Sequence, residues 1–375
     1  MILIINLGST SLKYELYNTV DNNLKKLCLV KAQLAINQKP DWVNIWNTVL
    51  IQLQQKGIRL ESITSILHRV VFAPLDVLQS QDKNRFLVNQ QLLERLDQLM
   101  DFAPLHNPLS LGFIKYLKEL NSDLQQFAVF DNYLYRDISE INSRLAVPKA
   151  WEKNYGLRRI GYHGLAHKSM LDQVTNLAQV TKVLSIQLGG GSSITAFEDG
   201  RALINSMGFG TSGGLIMSTR SGDIDAGSII HLLNQPGITR TSLQYDLYHN
   251  SGLLVLAGKE YRGDMRLILG NQSDPDCQQA LEMFVDSIVR YIGSYWLQFG
   301  GFEAITFGGG IGEGSDLIRS RIIKKLNILG VFLDANSNIQ ANETQNPKLI
   351  STKKSLCQVW VIPVNEAEVM LEVDS

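Results

Sequence analysis

Two short stretches of the sequence repeat one pattern. Residues 5–12 read Ile-Asn-Leu-Gly-Ser-Thr-Ser-Leu, and residues 186–194 read Ile-Gln-Leu-Gly-Gly-Gly-Ser-Ser-Ile. Each starts with an apolar run and passes through a turn of Gly and small hydroxyl residues, which predicts strand, turn, strand. Two copies about half a chain apart indicate a duplicated domain with a cleft between its halves. Chance similarity competes with this explanation, because the matching stretch is short.

Apolar runs alternate with segments of helical periodicity along the chain. Because such alternation is typical of strands separated by helices, it predicts the α/β class. The 375 residues, 45% of them hydrophobic and 19% charged, suffice for two sizeable cores, so we expect two domains. The strand-like runs are Leu3 to Asn6, Phe127 to Phe130, Val183 to Leu188, Ala304 to Phe307 and Val359 to Pro363, and the helical segments include Leu92 to Met100 and Cys277 to Phe299.

Composition argues against several classes of protein. A formal net charge of −1 disfavours nucleic acid or an anionic membrane as a partner, because those ligands require an excess of Lys and Arg. No apolar run approaches the roughly 18 residues of a membrane span, and the start of the sequence has no basic targeting region, so we expect a cytoplasmic protein. Cys28, Cys277 and Cys357 lie far apart, which predicts reduced packing residues rather than disulfides or a zinc site.

Glycine-rich turns are candidate anion sites. Gly and Ser let backbone N–H groups point at an anion without obstruction by a Cβ, and Lys13 would add a cation to the first turn. The alternative is a tight hairpin that needs Gly only for its backbone angle. A third cluster, residues 307–315, reads Phe-Gly-Gly-Gly-Ile-Gly-Glu-Gly-Ser and precedes a predicted helix from Asp316 to Leu326. We interpret it as a third turn at which backbone approaches a ligand closely.

Common nucleotide-binding motifs do not explain these turns. The sequence contains no GxxxxGK[ST] motif. Residues 208–213 match GxGxxG, but the loop-like stretch 219–223 follows them instead of a full helix and a second strand. This match is therefore interpreted as accidental, and any nucleotide site must follow another design.

The order of the motifs resembles that of the acetate kinase family over nearly the whole chain. This resemblance implies the fold of the acetate and sugar kinase, Hsp70 and actin superfamily, with two ribonuclease-H-like domains, an interdomain nucleotide cleft and a homodimer. The matching motifs are NLGSTSLKY (6–14), HRVV (68–71), APLHNP (103–108), YHGLAH (162–167), SMGF (206–209), MSTRSGDID (217–225), DMR (264–266), GIGE (310–313) and IPVNE (362–366).

The resemblance also implies domain limits and a reaction. The first domain is expected to comprise residues 1–135 and 367–375, and residues 136–366 are expected to form the nucleotide-binding and dimerisation domain. The implied reaction is Mg²⁺- or Mn²⁺-dependent phosphoryl transfer between ATP and a short carboxylic acid, or the reverse synthesis of ATP from ADP and an acyl phosphate, by a direct in-line mechanism.

This reaction needs charge neutralisation rather than a base. A carboxylic acid with a pKa of about 4 to 5 is already ionised at pH 7, so Arg forks, a hydrogen-bonding His and Mg²⁺ must stabilise the transferring phosphoryl group. By resemblance, the catalytic residues are Arg69, Asp131, His163 and Arg220, and Asn6 and Glu366 position the metal. His106 and His167 are expected to support them, whereas His68, His231 and His249 are interpreted as structural.

The resemblance assigns binding residues as well. The acid is expected to contact Arg69, Val71, Leu105, Tyr162 and Thr211. The nucleotide is expected to contact Ser9, Lys13, Gln187, Gly189, Gly190, Gly191, Asp264, Met265, Arg266, Gly310, Ile311, Gly312 and Glu313. Retention of Gly310 and Ile311 favours an open adenine pocket, and thus ATP over pyrophosphate.

The sequence also departs from the family pattern. The usual His-Leu-Gly-Asn-Gly turn is Gln-Leu-Gly-Gly-Gly at residues 187–191, which removes two phosphate-facing side chains and predicts slower turnover. In the acyl pocket, residues 72–74 are Phe-Ala-Pro instead of His-Gly-Gly, Tyr162 replaces Phe, and residues 210–214 are Gly-Thr-Ser-Gly-Gly instead of Thr-Pro-Leu-Glu-Gly; residues 132–135 also differ. These changes suggest a larger or more polar acid than acetate. A nucleotide-binding pseudoenzyme or regulatory paralogue, and another ATPase of the same fold, remain alternative functions.

Overall fold

The first of two mixed β-sheets is built around the N-terminal strand. A computed structural model of the chain describes residues 1–7, 11–20, 23–33, 41–98, 107–342 and 344–372. The strands of this sheet are β1 (Ile2–Leu7), β2 (Ser11–Val20), β3 (Asn23–Gln33), β4 (Ser65–Val70), β5 (Phe86–Leu87) and β6 (Gln125–Phe130). Their order in the sheet is β3-β2-β1-β4-β6-β5.

The second sheet repeats the topology of the first. Its strands are β7 (Lys182–Leu188), β8 (Ser192–Glu198), β9 (Arg201–Asn205), β10 (Ala304–Gly308), β11 (Lys348–Leu349) and β12 (Gln358–Val361), in the order β11-β12-β10-β7-β8-β9. In each sheet the first strand pairs antiparallel with the next strand and parallel with a later one. The repeated motifs thus occupy equivalent positions in the two sheets, and the predicted duplicated α/β fold is confirmed.

Helices connect and cover the strands of the first sheet. Helix α4 packs on β4, and Trp46, Phe113 and Leu117 join the buried strand residues in the core. The predicted helix at Leu92 is found, although residues 99 and 100 lie outside the described residues. These helices are α1 (Trp42–Gln55), α2 (Leu75–Leu78), α3 (Gln90–Asp97) and α4 (Asn107–Leu120), and the C-terminal α16 (Glu366–Leu371) belongs with them.

The second sheet carries more helical structure. The long helix starts at Pro275, with the Asp274 side chain accepting the N–H of Asp276, and ends before Gly300, which has a φ of +74°. Pro at the start and a left-handed Gly at the end are favoured helix boundaries. The helices are α5 (Glu140–Ser143), α6 (Lys149–Tyr155), α7 (Gly164–Ala178), α8 (Ala226–Leu233), α9 (Arg240–His249), α10 (Leu253–Leu256), α11 (Met265–Gly270), α12 (Pro275–Phe299), α13 (Gly309–Gly314), α14 (Asp316–Leu326) and α15 (Ala335–Gln340).

The chain divides into two compact units. Unit 1 comprises Met1–Arg136 with Glu366–Ser375, and unit 2 comprises Asp137–Asn365. Glu366 therefore belongs with unit 1, whereas the sequence-based limits place it in the second domain. The domain limits themselves stay a prediction. Within the described ranges, no helix has both the length and the apolar character needed to cross a membrane.

Candidate active site

A polar cluster in unit 1 forms where three parallel strands end. Asn6 is near the end of β1, Arg69 near the end of β4, and Asp131 directly follows β6. Arg69 Nη2 donates to Asp131 Oδ2 at 2.7 Å and Nη1 donates to Asn6 Oδ1 at 3.3 Å. Glu366 Oε2 accepts from Asn6 Nδ2 at 2.8 Å and lies 3.5 Å from Arg69 Nη1. Four predicted site residues thus meet, because carboxyl ends of parallel strands share one edge of a sheet.

The carboxylates hold the Arg69 guanidinium as a fixed cation. Burial disfavours its charge, but the charges of Asp131 and Glu366 outweigh this effect and raise the pKa of Arg69 above its ordinary value. Asp131 is 1% exposed, so its ion pair with Arg69 is shielded from water. Arg69 Nε has no hydrogen-bond partner among the residues described. The guanidinium keeps a donor available for a ligand.

Lys13 lies beside this cluster. It pairs with Asn6 across β1 and β2, and its Nζ is 2.8 Å from Glu15 Oε1. Glu15 is buried; it also contacts Lys26 and accepts a hydrogen bond from Tyr17 Oη at 2.8 Å. Burial tends to raise the pKa of Glu15, but the bonds from Lys13 and Lys26 outweigh this and lower it. Glu15, which the sequence analysis missed, therefore positions Lys13.

This cluster fits a metal ion only if a bound substrate supplies further ligands to the ion. Among the described residues, no three His, Cys, Asp or Glu side chains converge on one point. Asn6, Asp131 and Glu366 nevertheless supply amide and carboxylate oxygens, the donors that Mg²⁺ prefers. Because Mg²⁺ is usually held by one or two carboxylates together with substrate phosphates and water, this donor set fits a nucleotide-bound Mg²⁺.

A second cluster, in unit 2, surrounds the turn between β7 and β8. His163 precedes α7 in a left-handed conformation with a φ of +59°, and its Nδ1 is 2.8 Å from Ser193 Oγ. A Cβ placed on Gly191 would lie 3.0 Å from His163 Nε2 and 3.6 Å from Arg220 Nη1. The imidazole and the guanidinium therefore both lie against Gly191, where even a Cβ would be in tight contact with the ring.

Arg220 in this cluster has no acidic partner among the described residues. Its Nη1 donates to the Thr211 carbonyl oxygen at 3.0 Å and approaches the Met217 sulfur at 3.7 Å. Within the part of the chain that the structure describes, its guanidinium makes no ion pair. Burial lowers the pKa of Arg220, and Tyr248 opposes this shift. Because a partly buried cation without a counter-charge attracts anions, the arrangement favours a bound anion.

The loop that carries Arg220 is held by close backbone packing. The N–H groups of Ser251 and Leu253 donate to the carbonyl oxygens of Thr219 and Met217 at 3.0 and 2.9 Å. Gly252 has a φ of +63°, and a Cβ there would lie 2.6 Å from the Arg220 carbonyl oxygen. Only Gly permits this approach, so the loop is packed and hydrogen-bonded although it has no regular secondary structure. The accidental GxGxxG match lies in the irregular segment before it.

The third glycine cluster is a short helix, α13, and not the predicted turn. Glu313 Oε1 accepts from the Gly309 N–H at 2.8 Å and from the Val364 N–H at 3.2 Å. Arg319 Nη1 donates to the carbonyl oxygens of Gly312 and Glu313 at 2.8 and 2.9 Å. Side-chain hydrogen bonds thus cap both ends of α13, although its glycines alone favour irregular backbone.

The buried Arg319 contacts no carboxylate among the residues that the structure describes. Its remaining donors bond to Asn338 Oδ1, the Asn338 carbonyl oxygen and Asn342 Oδ1 at 2.7 to 2.8 Å. Burial lowers its pKa to about 10, and Asp316 opposes this effect. This role could not be read from the sequence, because the partners lie on separate segments of the chain.

The other predicted nucleotide residues have mixed surroundings. Gln187 ends β7 close to Gly309, and its Oε1 has no partner among the described residues. Asp264 caps α11 and pairs with the exposed Arg266, whereas Met265 is in the core of unit 2. Gly190 and Gly310 are exposed, and Gly312 is buried. The remaining residues are partly exposed: Gly189, Gly191, Ile311 and Glu313. Ser9 lies outside the described residues.

The predicted acid-binding residues divide between the units. Val71 is buried in unit 1. In unit 2, Tyr162 Oη donates to the Phe209 carbonyl oxygen at 2.7 Å, and the Thr211 side chain, 3% exposed, leaves Oγ1 without a partner within the described ranges. Leu105 and His106 lie outside those ranges. His68, interpreted as structural, is buried against Gln126, and burial lowers its pKa to about 4.

The chain matches one family of proteins over its whole length. The sequence model of the acetokinase family matches residues 1–372. The acetate kinase of Bacillus cytotoxicus is 33% identical, with 100% of this chain and 97% of that protein covered. The acetate kinase of Bacillus mycoides is also 33% identical, with the same coverage.

Solved structures give the same result. A propionate kinase from Francisella tularensis matches with a TM-score of 0.85 and 29% identity, over 98% of this chain and 97% of that one. The acetate kinase of Entamoeba histolytica matches with a TM-score of 0.82 and 26% identity, over 99% and 97%. With the duplicated fold and the two arginine clusters, these likenesses define a phosphotransferase that acts on a carboxyl group. The chain belongs to the acetokinase family.

Proposed function

We propose that this protein transfers a phosphoryl group between ATP and the carboxylate of a short-chain acid, with Mg²⁺ or Mn²⁺. The observation that carries the proposal is the placement of Arg220. Its charge has no acidic partner among the described residues, and its Nη1 lies beside Gly191, as does His163 Nε2. The acetate and propionate kinases among the relatives support a small aliphatic acid.

The reaction depends on hydrogen-bond donors that stabilise the phosphoryl group while it is transferred. The acceptor carboxylate is ionised at neutral pH, so no side chain has to remove a proton from it. The barrier arises from bringing two anions together and from charge on the equatorial oxygens of the phosphoryl group. Arg220 Nη1 and His163 Nε2 would donate to these oxygens while the acid attacks in line. Fixed donors of this kind need no reorganisation during the reaction.

The unit 1 cluster would handle the remaining charges. Arg69 would bind a substrate oxygen with its available Nε, since Asp131 holds its other end at 2.7 Å. Asn6 and Glu366 would position Mg²⁺ by contacting the groups that coordinate it. The ion would neutralise charge on the phosphates of ATP. Gln187 is neutral where the family pattern has His, so we expect weaker electrostatic stabilisation and slower turnover.

An acyl hydroxamate screen tests the proposal. Purified protein is incubated with ATP, Mg²⁺, hydroxylamine and single acids of two to six carbons, while coupled ADP release is followed separately. We expect hydroxamate and ADP in equal amounts, dependent on both the acid and Mg²⁺, and no hydroxamate with the Arg220→Ala variant as a control for contaminating kinases. Nucleotide binding without hydroxamate for any acid would support the pseudoenzyme alternative and contradict the proposal.

Thr211 is expected to set the preference for the acid. Its buried Oγ1 lacks a partner among the described residues, and its carbonyl oxygen accepts from Arg220. A substrate with a hydroxyl group would satisfy this atom, so we expect Thr211→Val to lower kcat/KM for a hydroxylated acid about tenfold and to leave the matching unsubstituted acid within about twofold. Steady-state kinetics with propionate and lactate measure this difference. Equal losses for both acids would refute the assigned preference.

A homodimer is the proposed assembly. Helix α8 has no buried residue, and Ile230 on it is 62% exposed. The exposed Ile224 and Leu233 extend the same apolar region, and such regions commonly mark protein interfaces. Light scattering should give twice the chain mass, and Ile230→Glu should give the mass of one chain. A monomeric parent protein would contradict this assembly.

We place the protein in the cytoplasm, where ATP is available. Cys28, Cys277 and Cys357 are free and buried, which suits a reducing compartment. Cell fractionation with an antibody against the chain tests the location, and recovery in an extracellular fraction would argue against it.

A further inference from the structure

A continuous chain of hydrogen bonds runs from His163 into the core of unit 2. His163 Nδ1 is 2.8 Å from Ser193 Oγ, which is 2.8 Å from His167 Nε2. His167 Nδ1 in turn is 2.8 Å from Ser185 Oγ. All three distances are those of well-formed hydrogen bonds.

The residues in this chain of hydrogen bonds lie on different elements of the fold. Ser185 is on β7 and Ser193 on β8, and α7 packs over β7. His167 follows His163 by four residues, and its N–H donates to the His163 carbonyl oxygen at 2.9 Å. Ser185, Ser193 and His167 are each 0% exposed. These three polar side chains are thus held by protein atoms in a site closed to bulk water.

The proton positions in the chain are linked. Ser193 has one hydroxyl hydrogen, so it donates to one imidazole and accepts from the other when both rings are neutral. The chain allows two directions, and Ser185 Oγ also lies 3.7 Å from the Met170 sulfur. A phosphoryl oxygen beside His163 Nε2 selects the direction in which Ser185 donates to His167 Nδ1, His167 Nε2–H donates to Ser193, and Ser193 donates to His163 Nδ1. His163 then carries its hydrogen on Nε2, the atom that lies beside Gly191.

We infer that Ser193, with His167 and Ser185 behind it, is a positioning residue that fixes the His163 ring and directs its Nε2–H toward the phosphoryl group. The left-handed backbone of His163, a conformation that residues other than Gly seldom adopt, sets where its side chain starts, and the bond to Ser193 fixes the ring. This inference rests on the proposed phosphoryl transfer and adds to it the residues that act through His163.

Alanine at position 193 separates positioning from packing. We expect Ser193→Ala to lower kcat about tenfold, the effect of one lost hydrogen bond, and to leave KM for ATP and for the acid within about twofold. Thr306→Val is the matched control. Thr306 is a buried hydroxyl on β10, the neighbour of β7 across from Ser185, and its hydroxyl approaches only the sulfur of Met170 among the described atoms. Its kcat should equal that of the parent protein.

A second variant makes the inference testable even if the Ser193→Ala protein does not fold. His167→Gln should lower kcat about as much as Ser193→Ala, and the double variant should be no slower than the slower single variant, because both break one chain. Effects that multiply, a change in KM with kcat preserved, or equal rates for Ser193→Ala and Thr306→Val would overturn the inference. A parent protein without transferase activity overturns the proposed function and this inference together, whereas an active parent with any of those results overturns only the inference.

Discussion

Arg220→Ala is expected to lower kcat by at least about 10³-fold, the range seen when an arginine that stabilises a transferring phosphoryl group is removed. The physical reason is the charge balance around this side chain. Its guanidinium makes no ion pair among the described residues, so in the free protein its charge is largely uncompensated. The bound phosphoryl group supplies the missing negative charge, and its need for this donor grows in the transition state.

ATP affinity and a neighbouring arginine provide the controls for Arg220→Ala. ATP binding, measured by calorimetry, should change by less than about threefold if the interaction is made mainly in the transition state. Arg290→Ala is the matched control, since Arg290 is 78% exposed on α12 and pairs only with Asp286 among the described acids. Arg220→Lys should recover little activity, because an ammonium group cannot reproduce the fork. A kcat near that of the parent protein would remove Arg220 from the mechanism.

Gly191→Ala is expected to lower kcat about 10²-fold while the protein keeps its fold, since a misplacement of about 1 Å at a reacting centre has effects of this size. The added Cβ would lie 3.0 Å from His163 Nε2 and 3.6 Å from Arg220 Nη1. It would therefore displace the imidazole and crowd the Arg220 guanidinium. The backbone of Gly191 does not need a positive φ, so alanine introduces no strain in the turn.

Gly208→Ala is the matched control for this substitution. Gly208 is in the same unit, also lacks a positive φ, and a Cβ there has no neighbour within 4 Å among the described atoms. Steady-state kinetics and thermal unfolding of both variants separate a blocked site from a damaged fold. We expect equal melting temperatures and a large difference in kcat. Full activity of Gly191→Ala would show that the space it fills is not used.

Local patterns in the sequence were enough to predict the repeated strands. Strands β1 and β7, which end in Leu7 and Leu188, are equivalent. They were predictable because an apolar run and the glycine turn after it are signals that span only a few residues. The helix from Asp316 to Leu326 is found with its predicted limits. The resemblance to the family also predicted Asn6, Arg69 and Asp131 as site residues. Their meeting in space depends on strand pairing that no single stretch encodes.

Contacts between distant segments account for what the sequence did not reveal. Ser185 and Ser193 resemble ordinary small strand residues until α7 brings His167 against them. The glycine cluster at residues 309–314 has low helix propensity, and it becomes helical because Glu313 and Arg319 bond to its ends. Propensity is a weak local preference that tertiary contacts commonly override.

In the proposed nucleotide site, the support that Arg319 gives to α13 would lower the entropic cost of binding. Glycine loses more conformational freedom on ordering than any other residue, at a cost of about 1 to 2 kcal/mol for each backbone position that is fixed. Here the guanidinium of Arg319 and the carboxylate of Glu313 order the segment when the protein folds. A ligand that meets this surface finds the amides already immobile, so its affinity is not diminished by arranging them.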